Sequence, residues 1–191
     1  MKYLLKAAAL SLTTVFASTA MAERMGLTVH LADETARIGV ISEAEWMQEI
    51  YRFEAGFQYN TNKDYIVDAS ILYTNKGMVD PNLDVGFKAK AALAAVDAAN
   101  DNTIGILLGI YGRYWLPTPV PSAIVAEYLL SPQIITFGDA DSMREYSLRY
   151  QLQLLRNLNG FVGYRYFEVD GGNTVSKVYE DGMHFGVELT F

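Results

Sequence analysis

The chain has 191 residues with 15 basic and 22 acidic side chains, which gives a formal charge of −7 at pH 7. Because nucleic-acid phosphates are bound by positively charged surfaces, this balance argues against a nucleic-acid partner, and the lack of cysteine excludes disulfides and thiolate metal sites. Half of the residues are hydrophobic (51%), yet beyond residue 22 no apolar run approaches the roughly 18 residues of a membrane-spanning helix, so a helical membrane protein is not expected.

The first 22 residues have the pattern of a cleaved secretory signal peptide. Lys2 and Lys6 supply a basic start, residues 7–17 form a short apolar stretch, and residues 20–22 (Ala-Met-Ala) fit a small-x-small cleavage site. The apolar stretch is too short to cross a bilayer, so we expect export by the general secretory route and not an N-terminal anchor. Cleavage would leave residues 23–191 as one domain.

The stretch that follows the signal peptide has a weak pattern. Residues 26–31 alternate between apolar and polar side chains and residues 36–41 are β-like, so a hairpin turning at residues 32–35 is plausible. Residues 42–50 are compatible with a short helix or with a turn. This stretch therefore adds either two strands or none.

The rest of the chain alternates with the period of two that is typical of β-strands. In residues 145–155 one face carries tyrosine and leucine, and the other carries Glu145, Arg149 and two glutamines. Such a face suits the polar interior of a membrane barrel better than the core of a sandwich. Residues 89–99 are alanine-rich, but the flanking lysines favour a strand there too. The alternating segments are residues 51–60, 66–73, 83–93, 104–115, 123–130, 145–155, 161–168 and 183–191.

The connections between these segments are of two kinds, which differ in length and composition. Residues 116–121 and 157–160 are short and rich in turn formers, whereas residues 131–144 and 170–181 are longer and acidic. Outer-membrane barrels have short periplasmic turns and longer outside loops, although residues 74–82 are long for such a turn. The sequence predicts an all-β fold, a closed antiparallel transmembrane β-barrel of even strand number, with ten strands favoured and eight as the alternative.

The polar faces of the strands predict a charged lumen. A barrel of eight to ten strands is only just wide enough for its own side chains, and buried charges need partners. We therefore expect a largely occluded lumen and a structural or interaction role, with a small passive porin-like channel as the alternative. With Glu145 the predicted set balances six cations against six carboxylates. The lumen-facing residues are Arg52, Glu54, Asp68, Asp84, Lys88, Lys90, Arg113, Glu127, Arg149, Arg165, His184 and Glu188.

The two histidines lie on the first and last predicted strands, which are neighbours in a closed barrel. His30 and His184 could share a metal ion, or join Glu188 and Ser70 in a membrane lipid hydrolase. Two histidines without a third ligand are a weak signal, and the sequence contains no hydrolase, P-loop or dinucleotide motif. We expect no enzyme activity and no cofactor, and leave metal binding open.

Aromatic residues near the strand ends are predicted to face outward at the two membrane interfaces, where an apolar ring with a polar tip is favoured. They are Tyr51, Tyr59, Tyr73, Tyr114, Trp115, Tyr128, Tyr146, Tyr164, Tyr166 and Phe191.

The last third of the chain carries two short motifs and an alternating terminal strand. The motifs are residues 126–132 (Ala-Glu-Tyr-Leu-Leu-Ser-Pro) and residues 163–166 (Gly-Tyr-Arg-Tyr), and the strand is residues 184–191. Over residues 121–191 the chain resembles the YfaZ family of bacterial outer membrane proteins. The resemblance implies an outer membrane barrel of a Gram-negative bacterium and brings no catalytic residues. The N-terminal half departs from the family's glycine-rich strands, especially at residues 42–50.

The terminal strand also looks like the signal recognised by the barrel assembly machinery, with Phe185, Val187, Leu189 and Phe191 as its residues. The partners expected from this resemblance are the assembly machinery and periplasmic chaperones during biogenesis, and outer membrane lipids and lipopolysaccharide afterwards. We expect a monomer in the cell outer membrane.

Overall fold

The computed structural model contains eleven β-strands and one short 3-10 helix, Gln133–Ile135, in the residues that it describes. No helix in that part of the chain is long and apolar enough to cross a membrane. The predicted signal peptide, residues 1–22, lies outside the described residues, which are 23–61, 64–96, 101–138, 140–171 and 176–191. The strands are β1 (Glu23–Ala32), β2 (Thr35–Trp46), β3 (Glu49–Asn60), β4 (Tyr65–Asp80), β5 (Leu83–Val96), β6 (Asp101–Leu116), β7 (Ser122–Ser131), β8 (Thr136–Gly138), β9 (Ser142–Leu155), β10 (Leu158–Asp170) and β11 (Lys177–Thr190).

Ten of these strands form one closed antiparallel barrel. Successive strands pair from β1 to β7, β7 pairs with β9, and β11 returns to β1 with Leu189 opposite Leu27. Each of the ten is hydrogen-bonded on both sides, so closure leaves no barrel edge open for pairing with another chain. The short strand β8 pairs with the beginning of β6, at Thr103 to Gly105, and is not part of the ring. The prediction of ten strands is confirmed, and the eight-stranded alternative is wrong.

The N-terminal stretch supplies the two strands that decide this number. β1 and β2 pair over their length and turn at residues 33–34, inside the predicted turn. β2 then continues to Trp46, so residues 42–50 form the ends of two strands and not a helix. The turn between them contains Met47 at φ 55°, a left-handed conformation that two-residue hairpins require and that methionine rarely signals.

The two ends of the barrel differ in their connections. At the end where β1 begins and β11 finishes, which we call the turn end, the strands join through residues 47–48, 81–82, 117–121 and 156–157. The opposite end, the loop end, carries the connection from β7 to β9 with its 3-10 helix and β8. Residues 74–82, which are long for a turn, are accommodated because β4 extends to Asp80 and only two residues connect it to β5.

The outer surface is an apolar belt. Large apolar side chains alternate along the outward faces of the strands and are exposed, among them Ile38, Phe57, Phe87, Leu108, Leu148 and Phe185. A belt of this extent is unusual on a water-soluble monomer and is typical of the outer surface of a membrane barrel.

Aromatic residues border the belt near both barrel ends. At the turn end Tyr51 and Tyr73 both donate hydrogen bonds to the Glu49 carboxylate, and at the loop end the rings of Tyr146 and Tyr166 stack at 4.8 Å. The prediction of an outward Trp115 is wrong. Its odd position on β6 places it on the inner face with Arg113, where its indole Nε1 donates to Asp84 Oδ2 at 2.8 Å.

Candidate functional site: the barrel lumen

The structure places all twelve predicted lumen residues on the inner face of the barrel, where each contacts another inner side chain or lines a cavity. They reach this face because the strands alternate strictly through the barrel wall. Seven are buried: Asp68, Asp84, Lys90, Glu127, Arg165, His184 and Glu188. The other five are half-buried: Arg52, Glu54, Lys88, Arg113 and Arg149.

Arg37 is the centre of the first group of ion pairs. Its guanidinium donates to Glu54 Oε1 at 2.6 Å and binds both carboxylate oxygens of Asp68, at 3.2 and 2.8 Å. Lys90 reaches the same Asp68 at 4.0 Å. These ion pairs thus connect the inner faces of strands β2 to β5. The sequence prediction missed Arg37, although it alternates with Ala36 and Ile38 in the way that identified the other lumen residues.

A second group surrounds Arg165 on β10. Its Nε donates to Glu145 Oε1 at 3.0 Å, and its Nη1 donates to Glu180 Oε2 at 2.8 Å and to Gln58 Oε1 at 2.7 Å. Because Gln58 lies on β3, this arginine links opposite walls of the barrel. Lys90 donates to Glu145 at 2.8 Å and joins this group to the first.

Glu180 was predicted to lie in a loop, in residues 170–181. β11 begins earlier than predicted, at Lys177, and its pairing with β10 shifts between Phe167 and Glu168. Because of this β-bulge, two successive residues of β11, Tyr179 and Glu180, are both buried. Sequence alternation cannot reveal such a residue, because a bulge interrupts the period of two.

A third group lies closer to the turn end. Lys88 donates to Glu127 at 2.6 Å, and Arg52 binds Glu188 through two hydrogen bonds at 3.1 and 2.6 Å. Arg113 donates to Asp84 at 3.0 Å. A buried ion pair is stable only when its partners are well placed, and in these three groups cations and carboxylates alternate across the lumen.

The loop end of the lumen is filled by apolar side chains. Leu107, Leu129 and Phe167 are 0% exposed, and Ile66 and Met143 are 1% exposed. The cluster, which we call the apolar plug, consists of Ile66, Ala92, Ala94, Leu107, Leu129, Ala140, Met143, Phe167, Val169 and Tyr179. Sequence alternation missed it, but residues 104–110 are a nearly unbroken apolar run, which is typical of a strand buried on both faces.

The turn end of the lumen is open. A cavity of about 220 Å³, which we call the vestibule, is lined by polar side chains that include Arg24, Arg52, Arg113, Arg149, Gln151 and Arg156. Deeper in the lumen a second cavity of about 40 Å³ lies beside His30 and His184. The lumen is therefore a vestibule, then ion pairs, then the apolar plug.

The two histidines meet at the closure of β1 against β11. Their rings stack at 5.8 Å with 17° between the planes, and Phe161 packs edge-on against His30 at 4.7 Å. His30 Nε2 forms a hydrogen bond with Thr28 Oγ1 at 2.9 Å, while His184 Nδ1 is buried and has no hydrogen-bond partner in the segments that the structure describes.

The wider cluster predicted around these histidines does not form a reactive arrangement. Ser70 lines the small cavity, but in the described residues it hydrogen-bonds neither histidine, and Glu188 is bound to Arg52. No three His, Cys, Asp or Glu side chains of the described chain are grouped to hold a metal ion.

Comparison with known proteins identifies the family. A family model described as "YfaZ precursor" matches residues 6–191, nearly the whole chain. The chain belongs to the YfaZ family. The resemblance predicted from the last third of the sequence is confirmed and extends through the N-terminal half. YfaZ proteins form a family of small barrels of the outer-membrane type and not a known enzyme family.

No match to this YfaZ chain was found among curated proteins. Among solved structures, a "Bacterial polysaccharide outer membrane secretin" is similar with 10% identity and a TM-score of 0.48, over 88% of this chain and 64% of that chain. Another, described as "Unveiling the Mechanism Behind the in-meso Crystallization of Membrane Proteins", has 6% identity and a TM-score of 0.38, over 88% of this chain and 83% of that one. At these values neither similarity informs about function.

The four residues of the predicted assembly signal lie on or next to the last strand of this YfaZ barrel. Phe185, Val187 and Leu189 face outward on β11, and Phe191 follows it, with all four side chains exposed. Their recognition by the assembly machinery stays a prediction.

Proposed function

We propose that this protein is an integral outer membrane β-barrel with a closed lumen, whose role is structural or interactive and not the transport of solutes. The observation that supports this most strongly is the apolar plug, in which seven side chains of the inner face are at most 1% exposed. A water-filled channel would need continuous polar space through the same region.

The ion pairs support the same proposal. Arg165 connects β10 with Gln58 on β3, and Arg37 holds two carboxylates from β3 and β4. Moving these side chains aside for a solute would separate buried opposite charges, which is costly. Balanced charge also provides no ring of one sign that would select ions.

The proposed location follows from the family and from the outer surface. The YfaZ match and the exposed apolar belt support insertion in the outer membrane, with outer membrane lipids and lipopolysaccharide as the surroundings. Closure leaves no barrel edge for strand pairing between copies, which supports a monomer.

Planar-bilayer recording of protein purified from the outer membrane fraction tests the proposal. We expect no steady conductance at neutral pH, with a known open porin in the same bilayers as the positive control. The double variant Leu107→Ala, Leu129→Ala removes plug volume and should produce conducting events. Its matched control, Leu108→Ala with Leu130→Ala, shortens the outward neighbours on the same two strands and should stay silent.

Steady open currents from the unaltered protein would overturn the closed lumen and favour the porin-like alternative. Recovery of the protein in the soluble periplasmic fraction would overturn the membrane location.

A further inference from the structure

The vestibule has a charge opposite to that of the whole chain. Seven basic and five acidic side chains line it, although the chain carries −7. Two further charges lie just behind its wall, Asp84 bound to Arg113 and Arg37 bound to Glu54, and they cancel each other. The excess of positive charge therefore belongs to the cavity itself.

Among Arg52, Arg113 and Arg149, the three arginines inside the vestibule, Arg149 has the least saturated guanidinium. Its one ion pair within the described part of the chain reaches Glu127 Oε1 at 3.5 Å, and that carboxylate is already bound by Lys88 at 2.6 Å. Its Nε is buried and has no hydrogen-bond partner among the described residues, and the guanidinium lies 5.5 Å from the centre of the Phe161 ring. A buried donor without a partner is costly, and such a group in a cavity wall is expected to bind an acceptor there.

Two further arginines stand at the mouth of the vestibule. Arg24 on β1 and Arg156 in the turn before β10 are exposed, and among the described residues neither makes an ion pair. Gln151, two residues after Arg149 on the same inner face, adds an amide to the wall. A positive entrance lined by low-dielectric walls raises the local concentration of anions.

We infer that the vestibule is a binding site for small oxyanions, meaning solutes that carry a phosphate or a carboxylate group, which enter from the turn end. The planar fork of a guanidinium matches both groups with paired charge-assisted hydrogen bonds, so Arg149 is the anchor and Arg24 and Arg156 attract the solute. A volume of about 220 Å³ admits a small solute and excludes a peptide or a lipid. Because the apolar plug closes the other end, the solute binds and leaves by the same mouth.

The protein contains its own reporter for this binding. Trp115 lines the vestibule beside Arg113, whose guanidinium lies 4.7 Å from the centre of the indole ring. Since the chain has two tryptophans, Trp46→Phe leaves Trp115 as the only one. Refolded Trp46→Phe protein in detergent is titrated with inorganic phosphate in one series and with succinate in another, and sodium chloride at equal ionic strength is the salt control.

The expected result is a saturable change in Trp115 fluorescence with phosphate, succinate or both, and none with chloride. The two series identify which oxyanion the site prefers. Arg149→Gln in the same background should weaken binding by roughly tenfold or more, because a hydrogen bond to a charged group is lost. Arg144→Gln removes the same charge from the outward face of the same strand and should bind as well as the parent.

Three outcomes would overturn the inference: no saturable change with either anion, equal binding by the parent and by Arg149→Gln, or equal weakening by both arginine variants. If Arg149→Gln fails to refold, the double variant Arg24→Gln, Arg156→Gln takes its place, because both side chains are exposed and unpaired within the described chain. That variant should also bind more weakly. The two proposals can fail separately. A protein that conducts ions and also binds oxyanions would overturn only the closed lumen. A protein that does not conduct and binds no oxyanion would overturn only this binding site.

Discussion

The two ends of the lumen are built from different side chains, although the same ten strands supply both. At the turn end the inner positions carry Arg52, Arg113 and Arg149, and the space between them stays open. At the loop end inner positions of the same or neighbouring strands carry Leu107 and Leu129, and the space is filled. Strand alternation thus decides which residues face inward, while the size and polarity of those residues decide whether the lumen is open.

Replacing Arg165 with methionine is the largest expected disturbance of this arrangement, because that side chain lies between the two ends. The change removes the cation that binds both Glu145 and Glu180. Glu145 then keeps Lys90 at 2.8 Å, and among the described residues Glu180 keeps the Gln58 amide at 3.0 Å but no cation. We expect the free energy of unfolding to fall by about 3–5 kcal/mol. Urea unfolding in lipid vesicles measures it.

The control for this change is Arg144→Met on the outward face of β9. Arg144 is 50% exposed and lies 3.9 Å from Glu168, so its loss should cost less than about 1 kcal/mol. Equal losses from the two variants would mean that the lumen network adds no more stability than a surface pair.

Shortening one side chain of the apolar plug is the next largest change. Leu129 is 0% exposed, and Leu129→Ala leaves a cavity that the closed barrel cannot fill, so we expect a loss of about 2–4 kcal/mol. The same urea unfolding experiment measures it. Leu130→Ala, which faces outward, should lose less because lipid chains occupy the space. If Leu130→Ala were the more damaging, the plug would not be a packed core.

The smallest expected effect is at the exposed margin of the turn end. Lys76 donates to Glu45 at 2.6 Å, and both side chains are more than a third exposed. Lys76→Gln should change the free energy of unfolding by less than about 1 kcal/mol, and the change should vanish at high salt. Unfolding at low and at 1 M sodium chloride tests this, and a loss above about 2 kcal/mol would place Lys76 within the lumen network.

Much of the barrel was predictable because alternation is a local property. The eight segments identified from period-two patterns all lie within barrel strands, apart from Phe191 itself, which follows β11, and the hairpin turn within residues 32–35 was located correctly. Residues 42–50 were ambiguous, since the turn at Met47 carries none of the usual glycine or asparagine signals.

The lumen was less predictable, and the missed residues show why. Arg37 follows the alternation of β2, so it would have been predicted to face the lumen if residues 35–46 had been assigned as a strand. Glu180 is buried because of a bulge, which inserts one residue into the period. The apolar plug combines residues from β4, β5, β6, β7, β9, β10 and β11, and no single strand indicates that their side chains meet.

The sequence by itself determined that this protein is a β-barrel with an apolar outside and a charged inside, because one residue in two must face lipid and the next must not. Only the tertiary structure decided which charges pair, that Arg149 is left with a free donor, and that the loop end is closed. The physical reason is that pairing across the lumen joins residues as far apart in sequence as Arg52 and Glu188, whose distance depends on barrel closure and strand register.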